Sequence, residues 1–123
     1  MIEIKNLKKE KPKEEWDVKV DRSSPLGNPF LMKNYDNAER TEVCNKYEDW
    51  FWTNFLLCEN KKFIEELRRI ENIYLWYGKI NLFCWCAPRQ CHAETIKRHL
   101  ESVHLIAKKP KEKPQILIIK DKK

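Results

Sequence analysis

The sequence predicts one small α/β domain, its sheet mixed or parallel and flanked by helices, with elements in the order β-α-α-β-α-β. Three observations predict it. Trp16, Val18 and Val20 alternate with Asp17, Lys19 and Asp21, the period of a half-buried strand. Leu82-Phe83-Cys84-Trp85-Cys86 is apolar on both faces, as suits a central strand covered on two sides. The stretches between and after them repeat apolar residues every three to four positions, the period of a helix face.

Residues 1–15 open with a weak alternation, Ile2 and Ile4, then run into lysine, glutamate and Pro12, so they read as a short edge strand or a flexible arm. The domain proper spans 16–119. Its first strand, 16–21, stops at Asp21-Arg22-Ser23-Ser24-Pro25-Leu26-Gly27-Asn28-Pro29-Phe30, whose two prolines and single glycine indicate a firmly shaped loop. Asp36 or Asn37 caps a helix reaching to about Leu57, with Val43, Tyr47, Trp50, Phe51 and Phe55 on one face. Trp52 lies off that stripe. Asn60 caps a second helix carrying Phe63, Ile64, Leu67, Ile70 and Tyr74, and Gly78 ends it. Strand 82–86 follows and Pro88 terminates it. A third helix opens at Cys91 or His92 and buries Ile96, Leu100 and Val103; His99 and His104 on it read as partly buried or surface histidines rather than ligands. After Pro110 and Pro114, Ile116–Ile119 reads as a last strand, and 120–123 as a lysine-rich tail.

Helical crossovers separate strands 16–21 and 82–86, so if they share a sheet they run parallel and their carboxyl ends lie on one edge. Ligands of open α/β sheets bind in the crevice outside those ends. Arg22 and Asn28 are therefore expected to face Cys86, Cys91 and His92 across one crevice, with Gly27 letting the loop turn. Arg40, in the first turn of its helix, is ordinarily a solvated charge but is also placed to reach the crevice.

Cys84, Cys86, Cys91 and His92 fall within nine positions and admit four readings. As three thiols and an imidazole they match a tetrahedral zinc set, although the knuckle spacing is absent. As strand residues, Cys84 and Cys86 are small buried hydrophobes. Cys91 at a helix start meets the positive end of the dipole, which favours its thiolate and makes it a nucleophile with His92 as base. The same helix start is an anion site, to which Arg22 would add a bidentate guanidinium and Asn28 a donor and acceptor. His92-Ala93-Glu94 also matches the H-x-E of zinc deaminases, but no cysteine follows Cys91 to complete their P-C-x-x-C.

Aromatics at 11%, five of them tryptophan, argue against general disorder. The formal charge of +6 suggests nucleic acid, yet residues 1–16 carry +1, residues 107–123 carry +5 and the segment between them is neutral. Nucleic-acid affinity is thus expected to be weak, non-specific and seated in the C-terminal lysines. No apolar run approaches the roughly 20 residues of a membrane helix, and Met1–Lys13 has no signal-peptide core. Five cysteines, an odd number, fit a reducing cytoplasm.

Arg22–Phe30, then Arg40 ahead of Val43, Tyr47 and Trp50, then Leu82–Pro88 and Cys91-His92 resemble, in order, the DUF4326 family of small bacteriophage and bacterial proteins over about residues 17–105. The resemblance implies an α/β fold, a phage or bacterial-host setting and no established activity. It marks Arg22, Gly27, Asn28, Pro29, Phe30, Arg40, Cys84, Cys86, Cys91 and His92 as signature positions. Where that family carries Gly-Asp after the Cys-His, this chain has Ala93-Glu94. The leading expectation is a small anionic, nucleotide-like ligand bound at the carboxyl edge by Arg22, Gly27, Asn28, Arg40, Cys91 and His92. The alternatives are a non-enzymatic partner- or DNA-binding phage protein with structural cysteines, and a zinc- or thiol-dependent enzyme using Cys91 and His92.

Overall fold

Strand β3 (Ile80–Cys84) holds the sheet together, because β1 (Ile2–Asn6) and β2 (Asp17–Lys19) pair with its two sides and not with each other. Both pairings are parallel, with Ile4 and Val18 flanking Leu82 from either side. The computed structural model describes residues 1–34, 36–85, 91–106 and 109–113. Helices α1 (Asn37–Leu57), α2 (Lys61–Tyr77) and α3 (Ala93–Ile106) complete the order β-β-α-α-β-α of a small α/β domain. The start of the chain is thus an edge strand rather than an arm. The expected strand 116–119 lies outside the described residues, as does Cys86.

Strand β3 begins two residues earlier than its apolar run, since Ile80 N–H donates to the Met1 carbonyl and Asn81 N–H to that of Trp16. Pairing on the β2 side outlasts the strand, with Val20 N–H donating to Phe83 O at 2.9 Å. Ile80, Leu82, Phe83 and Cys84 are all buried, as a central strand requires.

The helix ends fall where their caps dictate. Asp36 accepts from Glu39 N–H at 2.7 Å to start α1, and Asn60 accepts from Phe63 N–H at 3.2 Å to start α2. Gly78 ends α2 at φ 72°, a left-handed conformation that glycine adopts without strain. The buried stripe of α1 is Arg40, Val43, Tyr47 and Phe51; Trp50 and Phe55 are only partly buried and pack against the core from its margin. Arg40 is therefore no solvated charge.

His99 departs from expectation as well. It is buried, with Nε2 2.6 Å from Glu71 Oε2, and Phe51, Trp52 and Phe55 ring it at 5.0–5.7 Å. Arg68 donates to the other Glu71 oxygen at 2.8 Å. Burial opposes ionisation of Glu71, but His99 and Arg68 outweigh it and hold the carboxyl below its ordinary value of 4.5. One polar cluster thereby ties α2 to α3 beneath α1.

Segment 109–113 returns to the amino edge of the sheet. Lys109 Nζ sits 4.9 Å above the Trp76 ring, and Lys113 pairs with Glu15 at 2.9 Å. Among the described residues no helix is long and apolar enough to cross a membrane.

Candidate functional site

The loop leaving β2 is braced by its own side chains. Arg22 donates from Nε to Asn28 O and from Nη2 to Phe30 O, both at 3.0 Å. Asn28 Oδ1 accepts from Phe30 N–H at 2.8 Å, an Asx turn, and Ser24 Oγ accepts from Leu26 N–H at 3.1 Å. A buried Leu26 plugs the loop into the core, where Tyr47 Oη donates to its carbonyl at 2.6 Å. Gly27 is needed for closeness rather than for an unusual turn: a Cβ there would lie 2.2 Å from Asp21 O. Gly27 and Asn28 are thus loop builders. Arg22 shares that task, yet it is exposed, and its Nη1 takes no hydrogen bond among the described residues.

The start of α3 lies against the same strand end. His92 is buried with Nε2 2.5 Å from Val20 O. A carbonyl only accepts, so Nε2 carries the proton and Nδ1 presents its lone pair. That lone pair faces Cys91 Sγ at 3.5 Å. Burial, joined by the charge of Arg22, pulls the imidazole below its ordinary 6.5 despite the Val20 bond, leaving a neutral base at physiological pH. Tyr47 meets the imidazole edge-on at 5.0 Å, and burial keeps its hydroxyl protonated as the donor to Leu26. The His92 ring therefore bridges the Cys91 thiol and the Val20 carbonyl. Glu94 closes the helix start, its carboxylate accepting from Cys91 N–H at 3.4 Å while its own N–H donates to Cys91 O at 3.0 Å.

Cys91 lines a cleft of about 300 Å³ between α1 and α3, with Cys44, Asn45, Glu48, Glu94, Thr95 and Arg98. Arg98 pairs across it with Glu48 at 3.3 Å. On the other side of the strand end, Trp85 Nε1 donates to Asp21 Oδ2 at 3.0 Å, while Ser23 Oγ lies 2.5 Å from Asp21 Oδ1. Burial raises the Asp21 carboxyl, but these hydrogen bonds and Lys19 prevail and hold it below its usual 3.8.

The Arg22 loop, the end of β3 and the start of α3 thus lie at one edge, as parallel pairing demands. Cys84 is buried in the core cluster, to which Ile80, Leu82 and Cys91 also belong. Arg40 is buried in α1. Among the described residues no three Cys, His, Asp or Glu are grouped as metal ligands, so the zinc set is not formed from Cys84, Cys91 and His92 alone. Sequence reasoning missed Asp21, Tyr47 and Trp85 as parts of the edge. Asp21 ends the alternating strand, and a residue there was visible as a loop entry but not as an indole acceptor. Cys91-x-x-Glu94 did carry a signal, the spacing of a capping box.

The family model of a domain of unknown function, DUF4326, matches residues 4–102. No curated protein and no solved structure matches the chain.

Proposed function

The chain belongs to the DUF4326 family, and from that premise we propose that it binds a small anionic ligand at the carboxyl edge of its parallel sheet. The convergence of two loops on Val20 and Asp21 carries the reading: His92 is fastened to the first and Trp85 to the second. An exposed guanidinium, Arg22, is next in the chain, and the amino end of α3 adds the positive pole of its dipole. Gly27 and Asn28 serve by fixing the loop, whereas Arg40 lies in the buried stripe of α1. Titration of the isotope-labelled full chain with inorganic phosphate tests this by NMR. Saturable shifts are expected at the Arg22 Nε–H and the Ala93–Thr95 amides. Shifts confined to the lysines, or none, would overturn it.

A second reading, a thiol-dependent reaction, is favoured by the 3.5 Å separation of Cys91 Sγ from the lone pair of His92 Nδ1. In it the thiol proton passes to Nδ1 as sulfur attacks an electrophile, and Val20 holds the ring still. Alkylation of Cys91 by iodoacetamide, followed by mass spectrometry, is expected to slow at least about a hundredfold in His92→Gln, the lower end of the contribution of a positioned base. An unchanged rate would remove the reading.

A further inference from the structure

Trp85 is the one aromatic side chain among the described residues that is more exposed than buried, at 52%. Exposure alone is ordinary for a single apolar side chain. The ring is also held. Its Nε1–H is committed to Asp21, its backbone carbonyl receives Asn6 Nδ2 at 3.4 Å, and the neighbouring Cys84 carbonyl receives Leu7 N–H at 2.8 Å. With the N–H already engaged, the group has no hydrogen-bond donor to offer a ligand. What remains is a fixed π face.

That face stands at the carboxyl edge, one residue beyond β3, and its anchor Asp21 directly precedes Arg22. A ligand complementary to both would carry a flat ring and a negative group. Leu31, Leu56, Leu57 and Leu105 are exposed too, but they are flexible aliphatic groups without this anchoring. We infer that Trp85 is a stacking platform for a heteroaromatic base, and that the anionic ligand is of the nucleotide class, base on Trp85 and phosphate toward Arg22. The inference rests on the anion site proposed above and adds the class of molecule that fills it.

Adenosine monophosphate and ribose 5-phosphate separate the two claims. With the full chain, the nucleotide is expected to shift the Trp85 indole N–H resonance, assigned by its loss in Trp85→Phe, and to bind at least about tenfold more tightly than the sugar phosphate, the scale of one base-on-aromatic stack. Trp85→Phe, which keeps a ring, should retain affinity within about threefold, and Trp85→Leu should lose about tenfold for the nucleotide alone. Equal affinity for the two compounds would overturn the stacking platform while leaving the anion site. Binding of neither would overturn both. A molecular mass that rises with concentration and reverts in Trp85→Leu would assign the ring to self-association and likewise overturn the inference.

Discussion

Tyr47 does two things with one side chain: its ring meets His92 edge-on and its hydroxyl holds the Arg22 loop through Leu26 O. Removing that hydroxyl leaves a buried carbonyl unsatisfied. Tyr47→Phe should therefore lose about 1–3 kcal/mol in urea unfolding, with the added mobility confined to the loop in amide exchange. Gly27→Ala should cost a similar 1–3 kcal/mol or so, because the new methyl meets the Asp21 backbone and one of the two segments has to move. An alanine variant as stable as the parent would show that the loop yields freely and is not braced. Such residues explain what a sequence conceals. Arg22, Gly27 and Asn28 were legible as a loop of unusual composition, but their targets are one another's backbones, and a composition does not say whether a guanidinium serves a ligand or a carbonyl. Cys91 and His92 were legible because chain adjacency at a helix start already fixes much of their geometry.

Helices were legible where caps and periodicity agreed. Asp36, Asn60 and Gly78 sit at the boundaries they imply, and β3 at the centre follows from its unbroken apolar run. His99 was misjudged because its partner, Glu71, lies 28 residues away on α2 and no local pattern links them. The pairing has a pH signature. Glu71 has a folded pKa below 4.5, so its contribution to stability is complete above about pH 4.5 and disappears as pH falls through the lower folded value. Glu71→Gln should lose on the order of 1–3 kcal/mol at pH 7, and the gap from the parent should close as both are acidified. Denaturation midpoints measured from pH 7 to pH 3 check this; a gap independent of pH would assign the loss to packing alone.

At the scale of the molecule, the lysines placed in segment 109–113 lie apart from the site. Lys109 and Lys113 rest on Trp76 and Glu15 at the amino edge, away from Arg22 and Trp85 at the carboxyl edge. We expect oligonucleotide binding to be weak and steeply salt-dependent, to fall when residues 120–123 are deleted, and to leave phosphate titration of the Arg22 loop unaltered. Fluorescence anisotropy across a salt series measures it, and undiminished binding by the shortened chain would place the contact elsewhere. The order β1-β3-β2 has a consequence in time as well. Its outer strands are separated by only 10 residues, yet among the described residues neither has a partner until Ile80–Cys84 is made, 60 residues after β2. During synthesis α1 and α2 can coil early, while both strands wait for the one that joins them. Assembly of the sheet should then be a late, single event with a slow folding rate for so short a chain.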